Sequence, residues 1–170
     1  MNRQIIEYLD VVDKLIIILG LPLAFIQYLK TTKKEKRDRE YGTYNALDEK
    51  YLEFQKLCLD HPYLNIFDIP DANPTELDEK QKKEELILFT MLFSIFERAY
   101  LLYSDQYSEI KKKQWLGWDE YIRTFCERDN FLAAWTISGN TFDTEFEAYM
   151  IDIIEEVKEI KKAEQKLASQ

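Results

Sequence analysis

Apolar and polar positions change rhythm several times along the chain. In the first three turns of a helix drawn at 100° per residue, Arg3, Glu7, Asp10 and Lys14 fall within about 60° of one another. Ile5, Ile6, Leu9 and Val12 take the remaining positions. Arg3/Glu7 and Asp10/Lys14 are opposite charges four residues apart, so each pair can neutralise itself on one stripe. From Leu15 to Ile26 the polar positions vanish, counting Gly20 and Pro22 as apolar, and the run ends on a basic cluster in "LKTTKKEKRDRE". A span perpendicular to a bilayer takes roughly 20 residues. Extension back to Ile5 and on to Leu29 supplies that length.

The pattern predicts a transmembrane helix over 1–29 and a basic juxtamembrane stalk over 30–40. A signal peptide fits poorly, because Glu7, Asp10 and Asp13 stand where a basic segment is required and no small-residue cleavage site follows. A soluble core helix and an in-plane helix remain as alternatives. The flank made of Lys30, Lys33, Lys34, Lys36, Arg37 and Arg39 favours insertion, since basic residues beside an apolar run stay cytoplasmic and meet anionic headgroups.

Downstream the spacing stays helical. Tyr44, Leu47, Tyr51, Phe54, Leu57 and Cys58 recur at three- and four-residue steps, predicting a helix over 31–61 with a bend at Gly42. "HPYLNIFDIPDANPT" holds three of the four prolines and reads as a loop. Thr75 and Asp78 form an [ST]xx[DE] capping box, which predicts a helix from Glu76 to Tyr103. Its middle, "LILFTMLFSIF", is apolar on all sides, as in the central helix of a bundle. A second span is disfavoured, because only 11 residues separate Glu85 from Glu97. "QWLGWDEYIRTFCERDN" predicts a further helix, and "NFLAAWTIS" a short one closed by Gly139. The last begins with Thr141 or Asp143 as N-cap and buries Phe146, Tyr149, Met150, Ile153, Ile154, Val157 and Ile160. The expected fold is all-α: the N-terminal span plus a cytosolic four- to five-helix bundle over 41–165.

Charge sharpens this division. Lys30–Glu40 carries six basic and three acidic residues, whereas Tyr41 to the end carries 15 basic and 26 acidic. An acidic body excludes general nucleic-acid binding, which needs clustered cations. Cys58 and Cys126 lack any metal or disulfide spacing and suit a reducing compartment.

Candidate chemistry is sparse. His61, the only histidine, stands beside a proline at a helix end and reads as a cap or loop residue. Glu84-Glu85 and Glu155-Glu156 lack the Glu-x-x-His partners of a di-iron bundle, so no metal and no cofactor is expected. Glu97 and Arg98 interrupt the most apolar helix and read as a buried polar pair that fixes helix register. Trp115, Trp118, Tyr121, Trp135 and Tyr149 read as core and interface aromatics. No catalytic constellation can be assembled, and the expectation is a non-enzyme.

"YLEFQKLCLDHPYL", "FERAYLLY", "WLGWDEYIR" and "FLAAW", behind one span and a basic stalk, resemble small bacterial single-span membrane proteins with a cytosolic helical domain. More distantly they resemble the pore-forming accessory protein of type VI-B CRISPR systems, whose helical domain is HEPN-like. The HEPN ribonuclease motif places Arg four to six residues before His. Here those positions hold Gln55, Lys56 and Leu57 before His61. The resemblance therefore implies an antiviral membrane protein and not a ribonuclease. The resulting expectation is an inner-membrane effector, single-pass with its C-terminal domain cytoplasmic. It would assemble as a homo-oligomer through the stripe Arg3, Glu7, Asp10 and Lys14 and permeabilise the lipid bilayer. The alternative is a tethered adaptor that recruits a cytosolic protein partner.

Overall fold

The computed structural model describes residues 3–67 and 76–168, with side chains for 22–36, 38, 39, 42, 44–67 and 76–167. Five α-helices follow in order: α1 Arg3–Asp60, α2 Glu79–Tyr103, α3 Glu109–Cys126, α4 Asp129–Ser138 and α5 Thr144–Ala168, with a 3-10 turn Gly139–Thr141 before α5. No strand occurs among the described residues, in agreement with the all-α class. The chain divides into two units, Met1–Tyr44 and Asn45–Gln170.

The first unit holds α1 as far as Tyr44, with Pro22 inside it. Proline removes one backbone hydrogen bond and costs about 3 kcal/mol in an exposed helix interior. The bend expected at Gly42 does not end the helix, since α1 continues through it to Asp60. Helical neighbours on both sides outweigh the roughly 1 kcal/mol that one glycine costs.

In the second unit α2 packs against α3, α4 and α5. Its buried residues, Leu88, Phe89, Leu92, Phe93, Ile95, Phe96, Ala99 and Tyr103, occupy more than one face. That matches its unbroken apolar middle. The end of α1 contributes Leu47, Phe54 and Cys58, spaced to share one face. Tyr51 on the same face meets Trp118 and Tyr121 of α3 edge-on, with ring centroids 5.7 and 5.5 Å apart. Phe131 of α4 touches Phe89, Phe93, Phe96 and Phe125. Such ring pairs add about 0.5–1.5 kcal/mol each beyond area burial. No charged side chain is buried among the described residues.

The caps correct one sequence reading and bear out another. α2 starts at Glu79, one turn later than expected, because Asp78 itself is the N-cap. Its carboxylate accepts from the Gln81 N–H at 2.8 Å, and Gln81 Oε1 accepts from the Asp78 N–H at 2.9 Å. Thr75 lies outside the described residues. Gly139 closes α4 as its C-cap, as expected, with φ −57° and its N–H donating to the Trp135 carbonyl. It is small because Trp135 lies over it: a Cβ there would sit 2.6 Å from the indole ring. At the start of α5 the Asp143 side chain accepts from the N–H groups of Glu145 and Phe146.

These contacts predict opposite outcomes for two glycines. Gly139→Ala should destabilise the protein by about 1–3 kcal/mol, because the ring cannot move without opening the core. Gly117→Ala, inside α3 with nothing within 4 Å of the new Cβ, should stabilise it by up to about 1 kcal/mol. Urea unfolding of the two variants checks both signs.

Candidate functional site

The candidate site lies on α1 between Pro22 and Arg39, and it is built from two consecutive surfaces. The first is apolar. Leu23, Phe25, Ile26, Tyr28 and Leu29 are 59, 62, 48, 66 and 44% exposed. At 100° per residue they spread over about 220° of the helix. With Pro22 and Ala24, also exposed, no polar side appears before Gln27. Fully burying a side chain of this kind is worth about 1.5–3 kcal/mol. Five of them, each about half exposed, forgo a stabilisation on the order of 5 kcal/mol. A surface of this extent marks an interaction site.

The second surface is basic. Lys30, Lys33, Lys34, Lys36 and Arg39 are all exposed on the helix. Thr32 turns its hydroxyl inward along the helix, donating to the Tyr28 carbonyl at 2.9 Å. Arg39 Nε donates to the Glu35 carbonyl at 3.4 Å. Arg37 belongs to the same helix. The side chains of Arg3, Glu7, Asp10 and Lys14 lie outside the described side chains, while their backbone from Arg3 onward is helical.

The remaining sequence candidates resolve into structural roles. Glu97 and Arg98 are not a buried pair: Glu97 is half-buried and Arg98 exposed. The Glu97 carboxylate accepts from the Asp143 N–H at 2.7 Å. The polar interruption of α2 is thus a tie to the start of α5. Trp115, Trp118, Tyr121, Trp135 and Tyr149 are packed into the ring network and leave no cage. Tyr149 donates to Asp119 at 2.7 Å, and Arg123 bridges Asp119 and Glu156 at 2.8 and 2.7 Å. Glu155 and Glu156 are exposed. Among the described residues no group of three or more His, Cys, Asp or Glu could hold a metal. Burial pushes the Cys58 thiol up to about 11 and the Cys126 thiol up to about 12. Both are therefore protonated and unreactive near neutral pH.

Sequence reasoning missed a polar clamp on the segment 61–67. His61 ends α1, with its N–H directed to the Leu57 and Cys58 carbonyls. Tyr63 O–H donates to Glu84 Oε2 at 2.7 Å, so its oxygen accepts from His61 Nδ1, 2.8 Å away. On the other side Arg128 donates to the Asn65 and Ile66 carbonyls. Asn130 donates to the Asn65 carbonyl at 2.7 Å and to Glu85 at 3.1 Å. The Glu84-Glu85 pair therefore holds this loop. The only available signal was that a loop rich in polar backbone needs partners, which does not say which residues supply them. Beside the loop lies a mostly apolar cleft of about 440 Å³, lined by Cys58, Leu59, Pro62, Leu64, Ile66 and Phe67 together with Gln55.

Among the described residues α2 is long and apolar enough to cross a membrane, with 44% of its most apolar window buried in the protein. Length and composition alone do not separate a span from a core helix, and here the buried face belongs to the bundle.

The Tyr63 hydrogen bond holds the Glu84 carboxyl below its usual range, with Lys80 and His61 adding to the effect. Glu84 in turn pushes the Tyr63 hydroxyl up. A lowered acid contributes stability above its unfolded value and loses it as pH falls; a raised phenol loses its contribution as pH rises. Tyr63→Phe should therefore lower Tm at pH 7. The gap from wild type should close as pH drops below about 4. Thermal melts of both proteins between pH 3 and 8 check this.

Compared with models of known families, with curated proteins and with solved structures, the chain matches none.

Proposed function

We propose that this protein is a non-enzymatic, single-span effector of the inner membrane. The N-terminal part of α1 crosses the bilayer, the bundle lies in the cytoplasm, and self-association through the N-terminal helix perturbs or permeabilises the membrane. The observation that carries the reading is the uninterrupted exposure of Pro22–Leu29. A helix surface this apolar, with Gln27 its one polar side chain, needs an apolar solvent, and a bilayer is the solvent that demands no matching shape. Pro22 fits the same reading, since membrane helices tolerate interior proline. The basic residues that follow hold their own end of the helix on the cytoplasmic side.

Self-association rests on the stripe Arg3, Glu7, Asp10 and Lys14. Lipid-facing charge costs several kcal/mol, so a charged stripe on a span turns toward other helices or water. Copies of one chain provide that cover in a closed ring.

A tethered adaptor is the second reading, favoured by the apolar cleft beside 61–67. Leu59 there is 77% exposed, and Leu52 and Phe67 are exposed beside it. Such a surface on an acidic bundle suits a cytosolic protein partner.

The test combines location with assembly. Full-length protein should stay in the membrane fraction after carbonate washing and form a defined oligomer in mild detergent. Asp10→Leu should weaken assembly and vesicle dye leakage more than Asp10→Leu with Lys14→Leu, because the single change leaves Lys14 without its counter-charge. Light scattering and leakage read both. A monomeric wild type, or stripe variants that keep assembly and leakage, would favour the adaptor. A chain soluble without detergent would remove both readings.

A further inference from the structure

The lysines after the apolar surface differ from the four of the bundle that lie beside a carboxylate. Lys50, Lys80, Lys82 and Lys111 each lie between 2.7 and 3.6 Å from a carboxylate. Lys30, Lys33, Lys34 and Lys36 are exposed, and none is in an ion pair or hydrogen bond among the described residues. Three of them share a face: at 100° per residue Lys30, Lys33 and Lys34 fall within 100° of one another. Glu35, the one acid in that turn, points about 100° away from the nearest of the three. Their height is also informative. Four helical rises of 1.5 Å place Lys30 and Lys34 about 6 Å apart along the axis. The headgroup layer on one side of a bilayer is about 5–7 Å thick. Tyr28 stands just inside, where an amphipathic ring settles at the boundary.

We propose that Lys30, Lys33 and Lys34 form a headgroup site that selects anionic phospholipids, their ammonium groups reaching the lipid phosphates. This rests on the membrane reading above and adds to it a lipid class. The uncompensated charge, the shared face and the match to headgroup depth all point to phosphate at a membrane surface. The net acidity of the remainder of the chain disfavours a long nucleic acid in the same place.

The experiment uses the full-length protein reconstituted in phosphatidylcholine bilayers. Spin-labelled phosphatidylglycerol and spin-labelled phosphatidylcholine report lipid held at the protein. Insertion is scored first, by carbonate resistance and by immobilised phosphatidylcholine. The proposal expects phosphatidylglycerol to be held at least fivefold more strongly, given about fivefold per lysine near an anionic surface. Lys30→Gln with Lys33→Gln and Lys34→Gln should bring the ratio close to one, as should 1 M NaCl, where screening is complete within about 3 Å. Lys112→Gln with Lys113→Gln should leave it unchanged. Equal retention of both lipids by inserted wild type, or a preference that survives the triple variant, would overturn the headgroup site while leaving the membrane reading intact. Failure to insert would remove the membrane reading itself. Salt-sensitive binding of a 20-nucleotide strand, lost in the triple variant and without lipid preference, would reassign the lysines to nucleic acid and overturn the proposal.

Discussion

Phe96 is fully buried, and its ring meets Trp118, Tyr121, Phe125 and Phe131. That contact joins α2 to α3 and α4 at once. The bundle depends on it because no charged group is buried among the described residues to specify how the helices pair. Shape and ring geometry do that instead: edge-to-face contacts fix orientation in a way that aliphatic packing does not. The polar groups act at the margins, where Glu97 ties α2 to α5 and Arg128 with Asn130 holds the segment 61–67. The core sets which helices meet, and these ties set where the connections between them lie.

Two stretches of the chain are predominantly apolar and have opposite surroundings. The middle of α2 is apolar because protein covers most of it, and Leu88, Phe89, Leu92, Phe93, Ile95 and Phe96 are buried there. Pro22–Leu29 is apolar except at Gln27, and its side chains are exposed throughout. Composition cannot separate these cases, because water avoids both equally. What separates them is the next residues along the chain. After Tyr103 the chain enters a short loop and returns as α3; after Leu29 the same helix continues into lysines. This contrast underlies the proposal of a bilayer around the first and a bundle around the second.

The sequence made the helices legible wherever apolar positions kept a helical step. The face Leu47, Tyr51, Phe54 and Cys58 could be read directly, as could the all-round apolar middle of α2. It was less informative where one polar residue had two competing jobs. Asp78 was read as the partner of a cap at Thr75 and is itself the cap, because an aspartate and a glutamine three apart satisfy the same two N–H groups as the expected box. Glu97 and Arg98 were read as a pair because they adjoin in sequence, yet adjacent helical residues point 100° apart, and only Glu97 turns toward a neighbour. Gly139 was read as the stop of α4 and is its C-cap; what the sequence did not show is that the indole four residues earlier occupies the space a side chain would need. The clamp on 61–67 was hidden because its cross-helix partners are separated by 21 to 65 residues, and no local pattern records such pairings. For the candidate site, the apolar run and the basic cluster were fully visible, while the exposure of both and the unpaired state of the lysines needed the structure.

The central claim is that the exposed apolar turn of α1 lies in lipid and the lysine turn lies at its surface. Spin labels on single cysteines introduced at Leu23, Ile26, Lys33 and Lys36 test it most directly in reconstituted full-length protein, with Cys58 and Cys126 buried and protected from labelling. The account predicts that labels at 23 and 26 collide with oxygen, which concentrates in the bilayer, and are shielded from a water-soluble nickel complex. Labels at 33 and 36 should show the reverse. Equal access of the nickel complex to all four positions would contradict it.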